Sequence, residues 1–303
     1  MSDYTEWHDR ALGAYLGLAL GDALGATLEF MSPEEVRARY GVHRQITGGG
    51  WLSLPAGAVT DDTEMSLALG ESILETSGFS AKGAAEAFVR WLRSDPRDCG
   101  HTCRRGIRRY ILEGSVSAEP NEGHGGNGAV MRNLPVVLAT LGDAAAREAH
   151  TLAQCHITHH HPYSDAAALC LGNMVEQLIF GRSVSQVHQT ADALVREHAV
   201  FAFATYSGRA NAYIVETLCT VLHHFFNTDG FESCVVNTVQ RGDDADTTGA
   251  LAGMLAGAAY GQQALPKRWL KQLDAGVRRQ IERQTRALLA LSPAFSSLGA
   301  GAP

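Results

Sequence analysis

The sequence predicts an all-α fold on three observations: apolar residues recur at helical spacing in nearly every segment, strand-like alternation is almost absent, and no Pro-, Gly- or Ser-rich linker interrupts the middle of the chain. Ile214, Leu218, Val221, Leu222 and Phe225 fall at i, i+4, i+7, i+8 and i+11, which is a core-facing stripe. Similar patterns cover roughly residues 5–25, 63–77, 81–94, 102–113, 144–155, 163–180, 184–197, 231–240, 247–262 and 266–291. With 303 residues, 45% of them hydrophobic and 19% charged, the chain is long enough for a sizeable core, and a single domain over 1–303 is expected. Only residues 1–4 and 296–303 read as loose ends.

Two of these segments share a device. Gly13, Gly17, Gly21 and Gly25 recur every fourth residue, and so do Gly249, Gly253, Gly257 and Gly261. Glycine inside a helix costs about 1 kcal/mol relative to alanine, so a repeated stripe is expected only where backbones approach closely. Both helices are therefore expected to lie buried at the centre, against each other.

Composition narrows the function. A net charge of −7 argues against a nucleic-acid binder, which needs a basic face to displace counterions from phosphates. The start, with Asp3, Glu6, Asp9 and Arg10, lacks the order of a signal peptide, and the apolar runs are too short to span a bilayer, so a cytoplasmic location is expected. Six cysteines without a CxxC pair suit reduced core thiols; Cys99 and Cys103 lack the two further soft ligands that a zinc site would want.

Two acidic segments carry the chemistry. Thr60, Asp61 and Asp62 precede the stripe of Met65, Leu69 and Ile73, which puts them at a helix N-terminus. One aspartate there is explained by capping and the helix dipole, but two adjacent carboxylates with flanking hydroxyls exceed what a cap needs. Arg241-Gly242-Asp243-Asp244-Ala245-Asp246-Thr247 stands ahead of a second helix, one too small-sided and apolar to lie on the surface. If the segments meet, their repulsion calls for a cation, and an oxygen-only donor set suits Mg²⁺ or Mn²⁺.

These two segments, with Gly21-Asp22-Ala23-Leu24-Gly25 and Glu29-Phe30 before them and Gly126-Asn127-Gly128-Ala129-Val130-Met131-Arg132 and Thr158-His159-His160-His161-Pro162 between them, resemble the ADP-ribosylglycohydrolase family in order from about residue 10 to 262. The resemblance implies a compact orthogonal helical bundle and a binuclear Mn²⁺ or Mg²⁺ centre held by Thr60, Asp61, Asp62, Asp244, Asp246 and Thr247, with Asp243 behind it. It implies an ADP-ribose site near Asn127, Gly128, Met131, Arg132, His159 and Tyr213. Three adjacent histidines diverge by about 100° on a helix and cannot all reach one ion, so His160 and His161 are read as solvent-facing or capping.

The implied reaction is hydrolysis of the N-glycosidic bond between ADP-ribose and a protein arginine. A carboxylate outside the metal shell is needed for proton transfer, and Asp98 resembles the family's position for it, with Asp95 and Glu29 as competitors. Length and the Trp51-containing loop most resemble members acting on ADP-ribosylated dinitrogenase reductase, which would be the protein substrate. The same resemblance implies regulation by a PII signalling protein that brings the enzyme reversibly to the membrane. Serine-linked or O-acetyl-ADP-ribose, a two-metal nucleotide phosphohydrolase, and a non-catalytic scaffold protein are the rival readings; the last is disfavoured because all six ligands are present.

Overall fold

The computed structural model describes residues 2–299, which run through α1 (Ser2–Gly25), α2 (Pro33–Tyr40), α3 (Asp61–Glu75), α4 (Ala81–Arg93), α5 (His101–Glu113), α6 (Leu134–Ala139), α7 (Ala144–His156), α8 (Pro162–Ile179), α9 (Val184–Glu197), α10 (Ile214–Phe226), α11 (Phe231–Val239), α12 (Ala245–Tyr260), α13 (Lys267–Gln272), α14 (Ala275–Leu291) and α15 (Pro293–Gly299). No strand occurs among the described residues; extended pairing is limited to two isolated bridges, Gly49 with Leu54 and Gly126 with Tyr213. The fold is all-α, as the helical period predicts.

The two glycine helices lie against each other. A Cβ on Gly13 would stand 2.5 Å from the Gly257 carbonyl oxygen and one on Gly249 would stand 2.6 Å from that of Gly21. One on Gly17 would overlap the carbonyl of Gly253, and one on Gly25 that of Ala245. Partner numbers fall as the others rise, so α1 and α12 run antiparallel. Gly261 departs from the stripe: it is the C-cap of α12, at φ 74°, and faces Asp9. The continuous core gathers around this pair, which is buried from Ala11 to Gly25 and from Ala245 to Ala258.

Three short helices escape the periodicity. α2 buries only Val36 and is set by its ends, with a capping box between Ser32 and Glu35 and Pro33 in the first turn. α6 is buried from Leu134 to Leu138 and shows no polar face to read. α15 occupies part of the tail expected to be loose. At the other end α1 begins at Ser2, and the Tyr4 ring meets Phe295 edge-on at 4.9 Å. Met1 and residues 300–303 lie outside the described residues. The segment 266–291, expected as one helix, divides at Leu273–Asp274, where the Asp274 carboxylate caps α14 by accepting from Gly276 N and Val277 N. Asp274 N also donates to the Gly57 carbonyl, anchoring the loop that leads to α3. No helix among the described residues is long and apolar enough to cross a membrane.

If backbone contact between α1 and α12 sets the architecture, Gly17→Ala should cost about 3 kcal/mol or more in denaturant unfolding, because the methyl must displace a backbone carbonyl rather than a side chain. Gly172→Ala, inside α8 and in ordinary contact with Val137, should be neutral or stabilising by up to about 1 kcal/mol. Equal small effects at both positions would contradict the close contact.

Candidate active site

The antiparallel pairing carries the C-terminal end of α1 to the N-terminal end of α12, and the N-terminus of α3 joins them. Asp22, fully buried on α1, makes the connection: its carboxylate accepts from Thr60 N at 3.0 Å, Thr60 Oγ1 at 2.9 Å, Thr63 N at 3.2 Å and Thr63 Oγ1 at 2.5 Å. The cap of α3 is thus supplied by another helix. Thr60, at the N-cap position, makes no side-chain capping bond, and neither does Asp244 at the start of α12. Capping therefore does not account for either acidic segment.

What those carboxylates do contact points inward. Asp62 is fully buried; its Oδ2 accepts from Thr60 Oγ1 at 3.3 Å and from Thr247 Oγ1 at 3.2 Å, while its Oδ1 has no partner. The Thr247 bond joins the two segments across 185 residues of sequence. Asp61 Oδ2 accepts from Gly100 N, and Asp244 Oδ2 accepts from Asn127 Nδ2 at 2.5 Å. Oxygens of Glu29, Asp244 and Asp246 lie within 4.8 Å of one another. A buried, unpartnered carboxylate oxygen beside four more carboxylates and two threonine hydroxyls fits a hard divalent cation in donor type and in its unmet need for positive charge.

The electrostatics say the same. Burial pushes the Asp61 carboxyl up to about 8, with the nearby Asp98 adding to it, and pushes Asp244 to about 6. Asp62 and Asp246 are driven well above the usual carboxylate range, first by burial and then by the other acids. Glu29 rises to about 8 through burial, against the indole N–H of Trp51, which donates to it at 2.5 Å. Without a cation, burial and the neighbouring acids favour the protonated form of these groups more than water does for a free carboxylate.

These residues form one side of a cleft of about 410 Å³ whose lining includes Glu29, Asp61, Asp98, Asp244, Asp246 and Thr247. Thr60 and Asp62 lie behind them, buried. Gly126, Asn127, Gly128, Met131 and His159 line it as well. Asp98 is in the cleft and has its carboxyl raised by burial, whereas Asp95 is exposed and is not part of the lining. Asp243 turns away and pairs with Arg209 at 2.8 Å, which lowers its carboxyl.

Two residues expected at the ADP-ribose site are not in the cleft wall. Arg132 is wholly buried and its guanidinium is spent on Gln154, the Gly128 carbonyl and Thr158 Oγ1, above the Phe88 ring. Thr158 Oγ1, which accepts from Arg132, also lies 2.8 Å from His159 Nδ1. His159 is kept neutral by burial and then by the Arg132 charge, and its Nε2 edge lies against Gly126 and Gly128. Tyr213 bridges Gly126 through its backbone; the residue is 43% exposed and its ring rests beside Gly125. His161 caps α8 by accepting from Tyr163 N, and His160 stacks on His156 at 3.7 Å instead of facing solvent.

Sequence reasoning used Asp22, Phe30 and Trp51 as marks of resemblance but gave none of them a role in the site. Asp22 had a signal: it is the one acidic residue between Ala11 and Leu28, in a run otherwise apolar or small. Phe30 and Trp51 line the cleft mouth, and nothing in their spacing brings them together.

The ADP-ribosylglycohydrolase family profile matches residues 3–296. The chain is 57% identical over 285 residues to an ADP-ribosyl-[dinitrogen reductase] glycohydrolase of Rhodospirillum rubrum, covering 94% of this chain and 97% of that one. It is 32% identical over 289 residues to the ADP-ribosylarginine hydrolase Tri1 of Serratia proteamaculans, covering 89% and 76%. Among solved structures, a chain described as an ADP-ribosylglycohydrolase-related protein complex superposes with a TM-score of 0.85 at 32% identity, covering 95% of this chain and 99% of that one. With its acidic helix ends gathered in one cleft, this chain belongs to the ADP-ribosylglycohydrolase family.

Proposed function

We propose that the chain hydrolyses the N-glycosidic bond between ADP-ribose and an arginine side chain, with ADP-ribosylated dinitrogenase reductase as its protein substrate. The observation that carries this reading is the buried Asp62, tied through Thr247 to the second acidic segment and left with one oxygen unpartnered beside the cleft. Similarity to the Serratia ADP-ribosylarginine hydrolase supports the arginine linkage, and similarity to the Rhodospirillum rubrum ADP-ribosyl-[dinitrogen reductase] glycohydrolase supports the protein substrate.

Thr60, Asp61, Asp62, Asp244, Asp246 and Thr247 would hold two Mn²⁺ or Mg²⁺ ions. Such a centre supplies Lewis acidity toward ribose hydroxyls and a more nucleophilic water. The protein's own residues do the rest. Asn127 fixes Asp244, Gly100 fixes Asp61, and Asp22 holds Thr60 in place from behind. Asp98, in the same cleft and with its proton affinity raised, would give the leaving guanidine nitrogen its proton and, once ionised, take one from the attacking water. Glu29, held by Trp51, stands at the mouth as a second acid. Gly126, Gly128 and the Nε2 edge of His159 would line the ADP-ribose.

Asp98→Asn should lower kcat for ADP-ribosyl-arginine by roughly 10² or more while metal and ADP-ribose affinities stay nearly intact; parallel loss of metal would make Asp98 a ligand. The metal site is tested through stability. Divalent cations that bind only the folded chain should add about 2.7 kcal/mol at a hundredfold excess over Kd. Asp244→Asn should lose that gain and the activity, yet melt in chelator no lower than wild type, because one repelling carboxylate is gone. Equal metal-induced shifts in melting temperature for both proteins would remove Asp244 from the site.

The raised carboxyls also fix a pH dependence. Groups such as Asp61 and Glu29, at about 8 in the folded chain against 3.8 and 4.5 ordinarily, retain protons that the unfolded chain has released. Their contribution to metal-free stability is therefore full at low pH and is lost as pH rises toward about 8. In chelator, the melting temperature should fall between about pH 5 and pH 8, and the gain from Mn²⁺ should grow over the same interval. A gain from Mn²⁺ that is independent of pH would contradict the shared acidic site.

A further inference from the structure

Phe30 and Trp51 are both exposed, at 67% and 52%, and face each other at the cleft mouth with ring centroids 5.2 Å apart and planes 54° apart. Neither ring's exposure is explained by packing. Phe30 sits at φ 63°, a left-handed conformation that a bulky side chain rarely adopts. It is held there by its own N–H donating to the Asp243 carbonyl at 2.6 Å and by Asp243 N donating to the Met31 carbonyl at 2.8 Å. Asp243 itself has φ 51°. The loop that precedes Asp244 thus clasps the strained residue, and the strain delivers an aromatic ring into solvent instead of into the core.

Trp51 is delivered from the other side. Gly49 and Leu54 exchange two backbone hydrogen bonds, closing a tight loop with Trp51 near its tip, and the indole N–H is fixed on Glu29. The result is a pair of ring faces at the entrance to a cleft lined by Glu29, Asp61 and Asp98. Flat aromatic faces beside carboxylates are complementary to a flat, delocalised cation, and a guanidinium is the side-chain cation that stacks on aromatic faces.

We infer that Phe30 and Trp51 form the docking surface for the arginine guanidinium of the ADP-ribosylated target protein, and so select the arginine linkage over uncharged ones. The inference rests on the arginine reading given above. Rings that hold the leaving group act on the substrate but not on free ADP-ribose, whereas rings that stack on adenine would act on both.

The test compares kcat/KM for an ADP-ribosyl-arginine peptide with the calorimetric Kd for ADP-ribose, both with Mn²⁺ present. Phe30→Ala and Trp51→Ala should each lower kcat/KM roughly 3- to 30-fold and leave the ADP-ribose Kd unchanged. Trp51→Phe, which keeps a ring face but removes the N–H to Glu29, should lose clearly less kcat/KM than Trp51→Ala. Parallel loss of ADP-ribose affinity would assign the rings to the nucleotide and overturn the inference, as would unaltered kcat/KM in both alanine variants. Trp51→Phe as damaged as Trp51→Ala would reduce Trp51 to a support for Glu29 and overturn its share. A wild-type chain that leaves ADP-ribosyl-arginine intact would overturn the arginine reading itself, and the guanidinium as occupant with it.

Discussion

The close antiparallel contact of α1 with α12 is the constraint on which the rest depends. Glycines placed every fourth residue let two backbones approach where any Cβ would meet a carbonyl. Because the chains run in opposite directions, the contact brings the end of one helix to the start of the other. Asp22, three residues before the last glycine of α1, then captures the free amides at the start of α3. Three helix ends are thereby fixed at one point, and two of them are N-termini, where the helix dipole favours negative charge.

That convergence concentrates acid at a cost to the metal-free protein. The positive ends of two helices and several neutral donors offset part of the repulsion, and proton uptake by the carboxyls offsets more. A cation would replace those protons. The same carboxylates that destabilise the metal-free protein are thus the ones proposed to hold a cation, an arrangement expected where stability is exchanged for a reactive site. The neighbouring Phe30 and Asp243, both in left-handed conformations, place further strain at the same mouth.

Much of this was legible in the sequence because it rests on periodic or local signals. The glycine stripes announced a backbone contact, and the excess of carboxylates over capping needs announced an acidic cluster. Long helices were found to within one or two residues at several ends, as with α4, α5 and α9. Short helices were not, since α2 depends on its caps and α6 is buried throughout with no polar face. The break at Asp274 was hidden because a capping aspartate between two apolar stretches preserves the period. Side-chain direction was the least legible quantity. Arg132 sits in a loop motif that reads as ligand-binding, yet its guanidinium turns inward to Thr158 Oγ1, beside His159 Nδ1. Tyr213 contributes its backbone to the cleft loop while its ring stays outside.

The central claim is that two acidic segments far apart in sequence form one cation site because helix packing brings them together. Anomalous diffraction from crystals grown with Mn²⁺ tests it directly. The account predicts peaks among Thr60, Asp61, Asp62, Asp244, Asp246 and Thr247, with one ion within about 2.6 Å of the Asp62 oxygen that has no protein partner. Peaks confined to one segment, or none in the cleft under conditions where the enzyme turns over, would contradict it.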